Sequence, residues 1–294
     1  MRYIGTLEPK ITIAVPLYRS CRFLPIVTET LKNFDYPNLE FLVSDRHHED
    51  DAIDQLQATF AGDARFRFLV ADDRLDWVVH YNLLLREATG DYLVWVSHDD
   101  SYSANWVTET VRALEDNPDA ILSYGKVERI SMTGERLTYI TPKIPDSSRA
   151  PGPLTAYRVA LSGCQQFHGL FRRRMLVDRQ LYMRPTAQNI AADMLWLFTV
   201  ASIGRTVYTG DCIFWKRYYP SSTHKGWDSI MRPRYMWNFA RVTCSYLDDF
   251  APTRTKRMAG KAIAYLGCGL WQLRLIVRPW MRRIAPQLYA ISGR

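Results

Sequence analysis

Residues 91–102 read DYLVWVSHDDSY. Tyr92 to Val96 is an unbroken apolar run, and Ser97, His98, Asp99 and Asp100 follow it directly. A short apolar run closed by polar residues reads as a strand buried on both faces, the kind that builds parallel sheets. In open α/β sheets, ligands bind beyond the carboxyl ends of the strands. Two carboxylates and an imidazole therefore stand where such a fold does its chemistry. The plainer reading is an acidic loop that caps a helix starting near Asn105, since Asp and Ser are natural caps.

The same pattern repeats on either side. Apolar runs at residues 11–15, 41–43, 66–70 and 120–124 predict further strands. Residues 23–34, 50–60, 77–88 and 106–116 have helical character. Strands alternating with helices imply βαβ units, hence an α/β fold with a mainly parallel sheet and flanking helices. Right-handed crossovers put the strand ends on one edge, so Asp45 and Asp99 share a cleft. After Gly125 the pattern changes. Residues 126–130 and 137–140 flank a turn at Thr133-Gly134 and read as a hairpin. Residues 142–153 are rich in Pro, Ser and Gly and read as a loop beside the cleft, a candidate lid. A strand is expected at 167–171, a helix at 191–203, and short strands at 206–208 and 213–215. From Trp227 the chain reads as helical, interrupted by Pro252 and Pro279. The expected division is a catalytic domain at 1–225, with a nucleotide-binding half (1–125) and an acceptor half (126–225). A basic helical extension at 226–294 follows.

An apolar fraction of 47% and a charged fraction of 23% are those of a globular protein. Cys21, Cys164, Cys212, Cys244 and Cys268 are scattered and form no CxxC pair. This argues against a disulfide framework or zinc site and fits a reducing compartment. No charged-then-apolar segment opens the chain, and no run of about 20 apolar residues follows, so neither secretion nor a transmembrane helix is expected. The net charge of +8 is uneven: residues 226–294 carry 12 Lys and Arg against 3 Asp and Glu, leaving −1 for the rest. Ile263, Leu266, Leu270, Trp271 and Leu273 lie among Lys261, Arg274 and Arg278. That mixture suits a helix lying on an anionic membrane surface, the alternative being a helix packed on the catalytic domain. Nucleic acid is disfavoured, because no recognition motif accompanies the charge. The expected location is cytoplasmic, with peripheral attachment to the inner face of the cell membrane.

There is no GxGxxG after the first strand and no GxxxxGK[ST], GxSxG or HExxH. What remains is Asp45, Asp99 and Asp100 at strand ends, Asp193 in a later helix, and His224 in a loop. Strand-end carboxylates suit Mg²⁺, held with the help of substrate phosphates. A histidine such as His98 or His224 biases the site towards Mn²⁺. The substrate is then a nucleoside diphosphate derivative whose leaving charge the ion neutralises.

The order of these pieces resembles that of family-2 glycosyltransferases with the GT-A fold. IAVPL (13–17) is similar to their opening strand, LEFLVSD (39–45) to the second, and NLLLREATGDYLVWV (82–96) to the run that leads into their DxD motif, here SHDD (97–100). HGLFRRRML (168–176) resembles their acceptor-side segment, and ADMLWLFTVASIG (192–204) the helix that carries the base. The resemblance covers roughly residues 9–226. It implies a metal-dependent inverting transferase that moves a sugar from a UDP- or dTDP-sugar to a hydroxyl on a glycan or lipid-linked precursor. It also implies roles. Pro16, Tyr18 and Arg19 line the base pocket and Asp45 reads the pyrimidine. Asn82, His98 and Asp100 complete the donor side. Asp99 and His224 hold Mn²⁺ or Mg²⁺, Asp193 is the general base, and His168, Gly169 and Arg172 face the acceptor. The chain departs from the pattern at Ser97, the first acid of the DxD; at Arg46-His47-His48, which replaces a small turn; and at Ala192, where an acid often precedes the base. Ser97 and Ala192 favour one rival reading, a non-catalytic nucleotide-sugar-binding protein at the membrane. A second rival, a nucleotidyltransferase, usually carries a Gly-rich loop where this chain has PLYRSCR (16–22).

Overall fold

The apolar runs become eight strands of one sheet: β1 (Ile11–Leu17), β2 (Leu39–Asp45), β3 (Phe66–Val70), β4 (Tyr92–Trp95), β5 (Ser101–Tyr102), β6 (Ala120–Ile130), β7 (Leu170–Arg172) and β8 (Arg205–Arg217). The computed structural model describes residues 8–46, 50–71, 75–137, 156, 165–219 and 233–284, with side chains in the last two helices given for 236–270. The strand order is β3-β2-β1-β4-β7-β6-β8-β5. β1 runs parallel to β2 and β4, β2 to β3, and β6 to β8. β7 is antiparallel to both β4 and β6, and β5 is antiparallel to β8. The sheet is thus mainly parallel, as the alternating pattern predicts. Every residue of β1, β2 and β4 is buried, which is why those strands read as continuous apolar runs rather than as alternation.

Helices α1 (Leu24–Asn33), α2 (Ala52–Thr59) and α4 (Trp106–Glu115) cover one face. α3 (Trp77–Glu87) and α6 (Ala192–Ile203) cover the other, with the short α5 (Arg173–Val177) nearby. On this second face the rings of Trp95, Phe167, Phe171 and Trp196 meet at centroid separations of 5.1–5.9 Å, a geometry worth more than area burial alone. At the amino edge of the sheet Glu40 is buried. Burial alone would raise its pKa. Thr12 Oγ1 (2.7 Å), the Thr89 backbone N–H (3.0 Å) and Arg67 (2.7 Å) outweigh that and hold it near 2.

Three expected elements differ. Residues 126–130 are not a separate arm but the continuation of β6. Its pairing with β8 skips from Tyr124↔Tyr208 to Lys126↔Ile213, so residues 209–212 bulge out opposite Gly125. This bulge is why β8 reads in sequence as two short strands. At Gly125 a Cβ would fall 2.6 Å from Cys212 Sγ, so the close approach requires glycine. The turn after β6 does form, with Gly134 at φ +88° and Leu137 N–H donating to Arg129 O at 3.0 Å. Residues 138–140 and the loop at 142–153 lie outside the described residues. Finally, Gln165–His168 is a 3₁₀ turn, and only Leu170–Arg172 is strand. A Cβ at Gly169 would lie 2.5 Å from both Leu122 Cδ1 and Ser123 O. The chain presses onto β6 there, and the turn delivers it.

Pro252 separates α7 (Pro233–Phe250) from α8 (Arg254–Ile284), whereas Pro279 lies within α8. α7 packs on the sheet and its helices: Met236, Phe239, Tyr246 and Leu247 join the cluster that holds Trp95 and Trp196. α8 packs on α7 through Gly260 against Leu247 and a Lys261–Asp248 ion pair of 2.7 Å. Met258, Tyr265, Leu266 and Leu270 of α8 stay exposed beside Trp237 of α7. Among the described residues, no helix is long and apolar enough to cross a membrane.

Candidate active site

Asp45 closes β2 and is buried, in register with Leu17 of β1 and Val70 of β3. Pro16 lies one step back in β1, buried opposite Ser44. The chain then leaves the sheet. Tyr18 is exposed, with the Arg46 guanidinium 4.3 Å above its ring and that of Arg19 at 5.2 Å. Arg19 holds φ +50°, the left-handed region, which turns the loop sharply after Tyr18. An open tyrosine ring beside a buried carboxylate and a half-buried arginine can take a flat, hydrogen-bonding heterocycle.

His98 holds this loop in place. Its ring stacks on Phe23 at 4.9 Å and 11°, and its Nδ1 shares a 2.7 Å hydrogen bond with Ser20 Oγ. Ser20 Oγ in turn accepts from the Tyr18 N–H at 2.9 Å. Burial lowers the His98 pKa, against the pull of Asp99. These bonds tie the imidazole to the β1–α1 loop. Arg22 covers the same cluster, 4.5 Å from the Phe23 ring and 5.1 Å from that of Tyr219.

Asp99 and Asp100 part company. Asp99 is half-buried, and one carboxylate oxygen accepts from the Tyr219 hydroxyl at 2.8 Å. Its carbonyl takes Arg217 Nε at 2.8 Å, and the same guanidinium reaches Ser131 O and Met132 O, tying the loop to the turn after β6. Asp100 is 1% exposed. Its Oδ1 accepts the Arg217 N–H at 2.7 Å, and its Oδ2 faces Lys216 Nζ at 3.5 Å. Burial pushes this carboxyl well above the ordinary range, and Lys216 opposes the shift. Burial would likewise discharge the lysine, but Asp100 and Asp99 keep it charged. The structure therefore gives Asp100 a buried place next to Asp99, held by Arg217 and Lys216. Lys216 also lies 3.4 Å from His168 Nε2, and the His168 ring stacks on Phe214 at 4.7 Å. A chain of polar groups so runs from the strand-end acids to the expected acceptor side.

Asp193 sits in the first turn of α6, where a carboxylate favours the helix dipole. Its Oδ1 accepts the Met194 N–H at 2.9 Å. Burial first, then the charges of Asp99 and Asp193, raise the pKa of the Tyr81 phenol, and Ser97 opposes the shift.

Two further expected site residues are engaged within the fold. The Asn82 amide is bonded to the Met183 backbone in both directions, at 2.8 and 2.9 Å, and so braces the segment leading to α6. Arg172 pairs with Tyr92, the first residue of β4, at the sheet edge opposite Asp99. Its guanidinium is committed to Ala120 O, Leu114 O and the Tyr92 hydroxyl. The reason is direction: β7 runs antiparallel to β4 and carries the chain away from the cleft. Gly169, as noted, serves close packing. His224, His47 and His48 lie outside the described residues. Sequence reasoning missed Tyr81, Arg22, Lys216, Arg217 and Tyr219. A signal for Lys216 was present, since period two places it on the face of Phe214 in an apolar strand, and cations seldom enter such strands unpaired.

The donor set bears on a metal. Among the described residues no three His, Cys, Asp or Glu side chains cluster as a cation cage. With Asp100 engaged by Lys216 and Arg217, the protein offers Asp99. One carboxylate fits an ion such as Mg²⁺ or Mn²⁺ that arrives with, and is mostly held by, a diphosphate and water.

Residues 12–178 match the family model described as glycosyl transferase family 2. An uncharacterized glycosyltransferase of Rickettsia conorii (strain ATCC VR-613 / Malish 7) is 27% identical over 207 residues, 66% of this chain and 32% of that protein. One of Rickettsia felis (strain ATCC VR-1525 / URRWXCal2) is 27% identical over 160 residues, 53% of this chain and 26% of that protein. The chain therefore spans a third or less of the length of these relatives. Among solved structures, S. aureus TarS 1-349 superposes with a TM-score of 0.65 at 14% identity, covering 90% of this chain and 73% of that one. Its complex with UDP-GlcNAc gives 0.63 at 14% identity, covering 84% and 69%. The mannosyltransferase PcManGT from Pyrobaculum calidifontis, in complex with GDP-Man and Mn²⁺, gives 0.61 at 17% identity, covering 98% and 80%. At these identities the likeness is one of fold.

Proposed function

The chain belongs to glycosyl transferase family 2, and from that premise we propose that it is an inverting transferase. It moves a sugar from a UDP- or dTDP-sugar to a hydroxyl of a glycan or lipid-linked acceptor. The observation that supports the reading is the placement of Asp45 and Asp99 at and just beyond the carboxyl ends of β2 and β4, on either side of β1, with Asp193 in the first turn of α6. An inverting displacement needs both, with leaving-group chemistry on one side and a base on the other. Asp193 takes the proton of the acceptor hydroxyl. The oxygen bonds to the anomeric carbon from the face opposite the nucleotide. The anomeric C–O bond breaks, and its electron pair leaves on the β-phosphate oxygen of the nucleoside diphosphate. Asp45, with Tyr18, Arg19 and Arg46, holds the base. Asp99 would hold the Mn²⁺ or Mg²⁺ ion, which, when bound, neutralises the departing diphosphate. His168, beside Lys216, faces the acceptor.

Thermal melting with nucleotides tests the donor half. UDP or dTDP at 100 times its Kd should add about 2.7 kcal/mol of stability, a rise of roughly 5 °C for a chain of this size. Asp45→Ala should remove the rise, and Asp99→Ala only the part that depends on Mn²⁺. A melting point that no nucleoside diphosphate moves would sink the donor assignment.

Peripheral attachment to the cytoplasmic face of the membrane belongs to the same reading. Residues 251–294 contain nine Lys and Arg and no Asp or Glu. The exposed apolar side chains of α8 lie among Arg254, Lys256 and Arg257, beside Trp237. The protein should sediment with phosphatidylserine vesicles at low salt and be released at high salt. Equal recovery in the supernatant at both would remove the membrane from the account.

A further inference from the structure

The loop that delivers Asp193 is strained, and part of what holds it comes from the C-terminal helices. Gln188, Asn189 and Ala191 have φ of +59°, +54° and +56°, and none is glycine. Left-handed residues of this kind persist where the surroundings over-determine them, and they gather at sites where the strain has a use. Here three ties hold the loop. Thr186 and Asn189 form a reciprocal capping box. Thr186 Oγ1 donates to Ile190 O at 2.6 Å, spanning Gln188 and Asn189. The third tie is Asn238 of α7, whose Oδ1 accepts the Ala187 N–H at 2.8 Å across 51 residues.

Neighbouring groups of α7 steady the same stretch. The Tyr246 hydroxyl accepts the Arg184 N–H at 2.6 Å and donates to Tyr182 O at 3.2 Å. The Arg184 guanidinium bonds Ser245 Oγ at 2.8 Å and pairs with Asp249. Positions 238, 245, 246 and 249 recur at helical spacing, so one face of α7 is given over to the approach to α6. Asn238 differs from the others in one respect. It bonds the first residue of the strained turn itself, Ala187, six positions before Asp193.

We propose that Asn238 is a positioning residue for the base. Through Ala187 it keeps Gln188, Asn189 and Ala191 left-handed, and this sets where the first turn of α6 starts and where Asp193 presents its carboxylate. α7 is then part of the catalytic apparatus. This inference rests on the reading of Asp193 as the general base. A base displaced by about an ångström can lose up to 10²-fold in rate while the donor site, built from β1, β2 and β4, keeps its shape.

The test compares Asn238→Ala with Asn238→Asp in the full chain. Asparagine and aspartate both accept the Ala187 N–H, and alanine does not. The readouts are UDP release from UDP-glucose and UDP-N-acetylglucosamine with Mn²⁺ and a bacterial glycan extract, the melting rise caused by UDP, and the ligand-free melting point. Asn238→Ala should lower kcat by about 10- to 100-fold with the donor KM and the UDP-induced rise unchanged. Asn238→Asp should return kcat to within about threefold of wild type. An active wild type matched by Asn238→Ala overturns the inference alone, as does equal impairment of both variants or loss of kcat together with UDP binding. A wild type that binds UDP but turns over neither donor overturns the base reading, and this inference with it.

Discussion

Asp193→Asn should lower the rate of sugar transfer by about 10²–10⁴-fold and leave the melting rise caused by UDP at its wild-type size. The substitution is nearly isosteric. The bond from the Met194 N–H to Oδ1 at 2.9 Å can pass to the asparagine carbonyl, so the start of α6 is preserved. What is lost is the capacity to take a proton. The contrast between rate and binding follows from the architecture. Asp193 comes from α6, whereas the expected donor contacts come from the carboxyl ends of β1, β2 and β4. Steady-state UDP release and the melting rise, measured on one preparation, decide the matter. A wild-type rate would remove Asp193 from the chemistry. A parallel loss of UDP binding would make it a structural or donor-side residue.

The second large effect is on stability. Lys216→Met should cost about 3 kcal/mol, the low end of the range for breaking a buried ion pair. Asp100 is buried, and Lys216 is the cation opposite its Oδ2 at 3.5 Å. Methionine fills the space of the lysine stem but leaves the carboxylate uncompensated. Proton uptake by Asp100 caps the loss, which is why the low end is expected. The double variant Lys216→Met/Asp100→Asn should recover most of it, because the amide still accepts the Arg217 N–H and no longer brings a charge inside. Urea unfolding of the four proteins closes the cycle. A single variant within about 0.5 kcal/mol of wild type, or a double variant no better than the single, would show that the pair does not act as a unit.

How much of this was legible in the chain depended on how local the cause was. β1 to β4 and their helices are readable because each strand is buried on both faces and closed by its own polar residues. Asp45 and Asp99 are readable for the same reason: a residue that ends a parallel strand is at the ligand-binding edge whatever the rest of the chain does. The position of Arg172 was not legible, because it depends on the direction of a three-residue strand, too short to carry a pattern of its own. β8 read as two pieces because a bulge answers to its partner β6 and not to its own sequence. Lys216, Arg217 and Tyr219 take their meaning from acids far away; Arg217 and Asp100 are 117 positions apart. Asn82 was given a donor role because it precedes the strand of the acids, but Met183, 101 positions on, claims its amide.

β7 has a mechanical consequence. It is bonded to β4 on one side, through Tyr92↔Arg172 and Leu93↔Phe171, and to β6 on the other, through Leu122↔Phe171 and Ser123↔Leu170. The half that holds Asp45 and Asp99 and the half that holds His168 are therefore stitched along a seam of main-chain hydrogen bonds at β7, with β5 on β8 as a second join. A jaw-like hinge between them would have to tear that seam, and Phe171 with it from the aromatic cluster of Trp95 and Trp196. Whatever opening and closing accompanies turnover then falls to the segments that overhang the carboxyl edge, while the sheet beneath them behaves as an anvil.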